Sequence, residues 1–311
     1  MPAATEFTPP ALTQPLLRGV IRTALRGLFR SLVRPPIPIA LQRRILRLLT
    51  LSIAPHGVTR SRSTIGGRPC EWQRPQGDTT GVFLYMHGGA YLIGSPATHR
   101  AISAALAKRG KLAVCALDYR LAPEHRYPAA LEDSVAAYQA LLAAGYLAEQ
   151  IAIGGDSAGG NLALITALRL QELGLPAPRA LVCFSPVTDF SVTQLHKPPA
   201  GDPLLNPAWL EQAVKLYCPT DMQPQDPRLS PVYADLSALP PTLIQVGSDE
   251  LLLNDSLRFA ERAKVAGVKL QLEVYPGLWH VFQAHVGLLH AADFAIARVI
   301  GFLQAQGVCD E

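Results

Sequence analysis

From about residue 60 the chain alternates short, continuous apolar runs with longer stretches of helical periodicity. GVFLYMH (81–87), KLAVCALD (111–118), QIAIGG (150–155), RALVCFS (179–185), PTLIQVG (241–247) and VKLQLEVY (268–275) read as strands. Continuous apolarity, rather than in–out alternation, is the mark of strands covered on both faces of a parallel sheet. Helical periodicity lies between them, near 97–109, 128–143, 158–173, 254–266 and 285–304. Strand–helix alternation of this kind predicts the α/β class: a mostly parallel central sheet with helices on both faces.

Two regions break the rhythm. After Pro15, Arg18, Arg22, Arg26, Arg30 and Arg34 recur every fourth residue, with Leu17, Val20, Ile21, Leu25, Leu28, Phe29 and Leu32 between them. This is an amphipathic helix stopped by Pro35-Pro36, and a second apolar, Arg-bearing run follows at 40–51. The preferred reading is a helical lid packed on the main domain with its arginines in water. The rival is attachment to an anionic membrane surface. The second interruption, 188–230, is rich in Pro and polar residues with one helical stretch at 207–217. Long insertions of this sort are usually functional, and this one is expected to cap the strand ends. The predicted organisation is an N-terminal helical cap (1–55), core (56–187), cap insertion (188–230) and core again (231–311).

Composition narrows the function classes. Of 311 residues, 49% are apolar and 17% charged, which suits a large buried core. The net charge is +4. Residues 1–60 hold nine arginines and one acid (Glu6), so +8, which leaves the remainder near −4. No aromatic or groove-reading element accompanies the basic segment, so nucleic acid is not expected as a partner. The five cysteines (Cys70, Cys115, Cys183, Cys218, Cys309) are scattered, without C-x-x-C or Cys/His clustering. They read as buried small hydrophobes in a reducing compartment, with no metal site. Neither a secretory signal nor an apolar run long enough to span a bilayer is evident, and a cytoplasmic location is expected.

The chemistry concentrates in QIAIGGDSAGGNLALITALRL (150–170). A strand runs into Gly155-Asp156-Ser157-Ala158-Gly159 and a helix follows at once. Such a sharp turn lifts a serine above the sheet as a nucleophile, with small residues two before and two after it. The Ala158 N–H then lies at a helix N-terminus, where developing negative charge is favoured. A phosphate-binding glycine turn is the rival reading, but no Lys follows in the required position. Upstream, His87-Gly88-Gly89-Ala90-Tyr91 ends a strand. The Gly88, Gly89 and Ala158 amides are the candidate oxyanion hole, and His87 is expected to brace the loop. A base and an acid follow in the order serine, acid, histidine. Ser248-Asp249-Glu250 and Pro276-Gly277-Leu278-Trp279-His280 each stand just beyond a strand. Position favours Asp249 over Glu250 as the acid, because it comes first after the strand, and His280 as the base. Tyr91 and Trp209 are candidates for lining the substrate pocket, although ordinary core packing serves either equally well.

HGGAY (87–91), DYRLAPEHRYPAALED (118–133), GDSAGGNLA (155–163), GSDELL (247–252) and YPGLWHVF (275–282), in this order, resemble the bacterial hormone-sensitive-lipase-like (family IV) esterases. The resemblance covers roughly residues 60–305. It implies an α/β-hydrolase fold and a cofactor-free serine hydrolase of short- to medium-chain acyl esters. Carried over position by position, it gives nucleophile Ser157, acid Asp249, base His280 and oxyanion donors Gly88, Gly89 and Ala158. It also implies that the N-terminal helices belong to a cap, and that a homodimer through a late edge strand is a candidate assembly. Lactone, amide or carbamate hydrolysis by the same residues, and a non-catalytic hydrolase-fold binding protein, are the alternatives.

Overall fold

The computed structural model describes residues 7–10, 14–50, 57–77 and 79–310. Among the described residues eight strands form one sheet: β1 (Thr59–Ile65), β2 (Arg68–Arg74), β3 (Val82–Met86), β4 (Ala113–Leu117), β5 (Ile151–Asp156), β6 (Ala180–Phe184), β7 (Thr242–Gly247) and β8 (Leu270–Tyr275). Their order is β1-β2-β4-β3-β5-β6-β7-β8; β2 runs antiparallel to both its neighbours, and every later pairing is parallel. All six apolar runs are strands. On one face Val82, Leu84, Met86 and Ile153 pack with α4 (Ala129–Ala143), α5 (Ala158–Glu172) and α7 (Leu253–Val265). On the other, Phe83, Tyr85 and Val114 meet α3 (Arg100–Gly110) and α8 (His290–Ala305).

The β1–β2 hairpin carries no apolar signature. β1 is exposed along nearly its whole length, and its arginines mark it as a protected edge strand. Its turn, Gly66-Gly67, has φ of +55° and +77°, the conformation of a tight two-residue hairpin loop. β2 buries polar side chains that pair with α3. Glu71 accepts both Arg100 Nε (2.6 Å) and Nη2 (2.7 Å), and Gln73 donates to Ser103 Oγ (2.7 Å).

Register brings the chemistry together. Met86 lies opposite Gly155, Asp156 opposite Phe184 and Gly247 opposite Tyr275. The loops after β3, β5, β6, β7 and β8 therefore leave the sheet at one edge, beyond the strands' C-terminal ends, where open α/β sheets place ligands.

Over that edge lie α1 (Pro15–Ser31), α2 (Ile39–Thr50) and the 188–230 segment with α6 (Pro207–Tyr217). Arg43 of α2 donates to Leu92 O (2.6 Å) and Ala122 O (2.7 Å), and Trp209 of α6 donates to Gln42 Oε1 (3.4 Å). The cap boundary drawn at residue 55 lies outside the described residues. The expectation that the α1 arginines stand in water fails for three of them. Arg18, Arg22 and Arg26 are half-buried with Ile21 and Leu25, whereas Leu16 and Val20 are exposed. The inward stripe of α1 is thus part arginine, because the surface it covers presents carbonyls and a carboxylate.

Candidate active site

Ser157 stands between β5 and α5 with φ +55° and ψ −117°. A non-glycine residue held there costs of order 1–3 kcal/mol, repaid by the surrounding contacts. Its N–H donates to Phe184 O (2.8 Å) and its carbonyl accepts Val187 N (3.2 Å). The flanking glycines are steric necessities. A Cβ on Gly155 would lie 2.1 Å from Met86 O, and one on Gly159 2.0 Å from the same oxygen.

The loop after β3 is built by equally close approach. A Cβ on Gly88 would lie 2.2 Å from Asp156 Oδ2, and Gly89 has φ +116° with Ile93 O where a Cβ would go. Among the described residues neither the Gly88 nor the Gly89 N–H has an acceptor within the chain. The Ala158 N–H opens α5, where the first-turn amides lack intrahelical partners. His87 braces the loop as expected. Its Nδ1 hydrogen-bonds Gly88 O (2.8 Å) and its ring stacks on Tyr119, with centroids 4.3 Å apart. Burial and the neighbouring His99 push its pKa down to about 3, so it is neutral and Nδ1 is the donor.

Behind this loop lies a buried polar cluster that the sequence reading missed. Asp156 accepts the Tyr85 hydroxyl at Oδ1 and His99 Nε2 at Oδ2 (3.2 Å). Burial works against charge on both His99 and Asp156. Their mutual attraction outweighs it, raising the imidazole pKa and lowering that of the carboxyl.

Sequence position favoured Asp249 as the acid, but the side chain that meets His280 is that of Glu250. Glu250, wholly buried, places Oε1 3.1 Å from His280 Nδ1, while its Oε2 accepts Ser185 Oγ (2.8 Å) and Gly247 N (2.9 Å). Asp249 instead turns outward and takes Arg22 Nη1 at 2.8 Å. Adjacent side chains leave a turn in different directions. Here the second acid points under the sheet edge toward the imidazole. Burial opposes the charged form of His280, but the hydrogen bond and charge of Glu250, aided by Asp202 and Asp156, prevail and raise its pKa.

Ser185, which the sequence reading also missed, ties the three segments together. It follows Phe184, the acceptor of Ser157 N; its hydroxyl donates to Glu250 and accepts Val281 N (3.2 Å). Its position at the end of the run RALVCFS was the available signal. Asp202 of the insertion adds a further tie, with Oδ2 accepting Leu251 N (3.0 Å) beside Glu250.

Tyr91 and Trp209 do not line an open pocket. Tyr91 is 0% exposed, with its ring 3.8 Å from that of Tyr217 and its hydroxyl on Asn161 Oδ1 (2.7 Å). Trp209 is 4% exposed and sits under α2. Both are core residues that join cap to body. A groove of about 800 Å³ lined by Tyr127, Leu131, Val135, Ile165 and Tyr233 contains neither Ser157, Glu250 nor His280. Its volume does not make it the reaction site. Among the described residues no group of three or more His, Cys, Asp or Glu is placed to hold a metal ion, and no helix is long and apolar enough to cross a membrane.

A family described as alpha/beta hydrolase fold matches residues 83–284. An esterase of Acinetobacter venetianus is 39% identical over 293 residues, covering 93% of this chain and 94% of that protein. An acetyl-hydrolase of Streptomyces hygroscopicus is 38% identical over 243 residues, covering 78% and 81%. The crystal structure of a hormone-sensitive lipase from a metagenome library superposes with TM-score 0.88 at 38% identity, covering 93% of this chain and 98% of that one. Motif order, fold and this similarity agree: the chain belongs to the bacterial hormone-sensitive-lipase-like (family IV) esterases of the α/β-hydrolase superfamily and is a carboxylesterase.

Proposed function

We propose that the chain hydrolyses short- to medium-chain acyl esters through a Ser157–His280–Glu250 triad and an acyl-enzyme. The observation that carries this is the buried His280 Nδ1–Glu250 Oε1 hydrogen bond of 3.1 Å, tied through Ser185 to the strained turn that presents Ser157. Ser157 Oγ attacks the ester carbonyl while His280 Nε2 takes its proton. Glu250 keeps Nδ1 protonated and stabilises the imidazolium. The Gly88, Gly89 and Ala158 amides receive the oxyanion. One such donor is typically worth about 3 kcal/mol in the transition state. The imidazolium then protonates the departing alcohol, and water repeats the sequence on the acyl-enzyme, returning the acid and free Ser157.

The short-chain preference is supported by the buried cluster of Tyr91, stacked on Tyr217, with Phe190 tilted against both, which fills the space next to the glycine loop. A homodimer through β8 remains part of the proposal, since this strand ends the sheet and carries the half-buried Leu270 and Leu272. A cytoplasmic location is supported by five free cysteines.

The test is turnover of p-nitrophenyl esters of increasing acyl length, with Ser157→Ala beside the wild type. Rapid hydrolysis of acetate through hexanoate esters, declining with longer chains and absent in the variant, is expected. Turnover that persists in Ser157→Ala would overturn the mechanism. A preference for long chains would overturn the substrate class.

A further inference from the structure

The arginine row of α1 faces the two loops that carry Glu250 and His280. Arg18 Nη2 donates to Gly277 O (2.6 Å) and Pro276 O (3.4 Å), in the turn just before His280. Arg22 forks: Nη1 reaches Asp249 Oδ2 (2.8 Å), next to Glu250, and Nη2 reaches Gly201 O in the insertion (2.5 Å). Arg26 Nη2 continues the row onto Ala200 O (2.5 Å). The receiving backbone is shaped for this. Gly201 and Gly277 have φ of +69° and +65°, and a Cβ on Gly277 would lie 2.5 Å from Arg18 Nη2.

The loops beneath are themselves one unit. Asp249 N donates to Leu278 O (2.8 Å), Ser248 N to Tyr275 O (3.0 Å) and Gly277 N to Ser248 Oγ (2.7 Å). The insertion reaches the same unit through Asp202 Oδ2 on Leu251 N (3.0 Å) and His196 N on Leu251 O (2.8 Å). Arg22 thus stands where the N-terminal cap, the insertion and the acid–base loops meet. Both partners of the Arg22–Asp249 pair keep about a fifth of the side chain exposed, so the pair is stronger than a surface one yet still open to screening at high salt. A planar guanidinium offers two separate nitrogens in a fixed fork, one for each acceptor, whereas a lysine would have to reach both from a single nitrogen.

We propose that Arg22 is a positioning residue: by bridging Asp249 and Gly201 it latches both cap segments onto the acid–base loops and holds Glu250 in register with His280. It rests on the reading of Glu250 and His280 as acid and base. On this view Asp249 is the anchor through which the cap sets the catalytic pair. Closing the cap and aligning the pair become one event, and high salt loosens both.

The test is titration of the His280 ring protons by NMR in wild type, Arg22→Ala, Asp249→Asn and the double variant, with kcat and KM for p-nitrophenyl acetate on the same samples. Loss of the latch loosens the alignment of Glu250 on the imidazole, although Ser185 and Gly247 still hold its other oxygen, so the His280 pKa is expected to fall by roughly 0.5–1. kcat is expected to fall about tenfold, with KM changed less. The double variant should resemble either single one. Arg22→Lys should fall between wild type and Arg22→Ala. In 1 M salt the wild type should move toward Arg22→Ala, whereas the variant should not respond. A His280 pKa unmoved in Arg22→Ala and Asp249→Asn, or losses that add in the double variant, would overturn the proposal. If Arg22→Ala does not fold, the near-isosteric Asp249→Asn and the wild-type salt response decide it alone. The titration needs no turnover. A shifted pKa with no ester hydrolysis in the wild type would therefore sink the triad reading and leave the latch standing.

Discussion

In the sheet, the turns around Ser157 and Gly88 are fixed by close approach of chain on chain. Gly155 and Gly159 bracket Ser157 because Met86 O fills the space their side chains would need, and Gly88 lies hard against Asp156. In the cap, α1 meets the body through arginine ends beside Ile21, Leu25, Leu28 and Phe29, while an added Cβ on its own Gly19 or Gly27 would meet nothing within 4 Å. Close packing tolerates almost no change of volume, whereas charged hydrogen bonds at the end of a long side chain tolerate changes of shape but not of charge or salt. The Glu250 and His280 loops have close backbone approach too, with Leu278 O where a Cβ on Gly247 would go, but of these turns they alone, among the described residues, also take charged support from the α1 arginines.

The same substitution should have opposite signs in the two regions. Gly159→Ala drives a methyl into Met86 O and His87 O, neither of which belongs to a flexible side chain. Urea denaturation is expected to show a loss of about 3 kcal/mol or more, with ester turnover reduced below a hundredth. Gly27→Ala on α1 is expected to gain about 0.5–1 kcal/mol, because glycine is costly in a helix interior. Equal effects at the two sites would erase the contrast.

Next in size is the pH response. The folded pKa of His280 is raised above the ordinary imidazole value of about 6.5. The base is neutral only above that raised value, so the acid limb of kcat/KM should fall above pH ~6.5. Stability runs the other way. The favoured imidazolium contributes stability that is full below about pH 6.5 and lost as pH rises through the folded value. The buried His99–Asp156 pair adds to the same trend, since His99 is also raised. A pH–rate profile beside thermal melts should therefore show activity rising while Tm declines. A limb at or below pH 6 would mean that Glu250 does not hold the imidazole.

The smallest effect belongs to Arg43, the α2 counterpart of the α1 row. Its contacts to Leu92 O and Ala122 O are partly exposed, and its partner Glu124 is more than half exposed. Arg43→Ala should lower stability by about 1 kcal/mol in dilute buffer, and less in 1 M salt. A loss independent of salt would place its role in packing.

The sheet was legible where burial on both faces leaves mainly apolar residues, as in β3 to β7, and less plainly at the edge strand β8, which carries Gln271 and Glu273. The β1–β2 hairpin was not, because β1 faces water and the buried Glu71 and Gln73 of β2 find partners on α3, thirty residues away. The sharp turn at Ser157, the glycine loop after β3 and the place of His280 just past β8 were visible in the sequence because each sets a particular residue beside a strand end. The choice between Asp249 and Glu250 was not. Both follow the strand, and only the turn geometry sends one inward to His280 and the other outward to Arg22. The arginine period was read correctly as a helix, but its facing was hidden, since a surface of carbonyls leaves no trace in the helix's own sequence. Tyr91 and Trp209 looked like pocket residues by location and proved to be core, stacked or capped by neighbours from distant segments.

The most direct test sets the two neighbouring acids against each other, with kcat measured on folded Glu250→Gln and Asp249→Asn proteins using p-nitrophenyl acetate. Glu250→Gln is expected to lose about 10³–10⁴-fold, as a triad does when its orienting carboxylate becomes an amide. Asp249→Asn should lose no more than about tenfold, through the cap alone. A large loss on Asp249→Asn with Glu250→Gln near wild type would contradict the assignment and return the acid to Asp249.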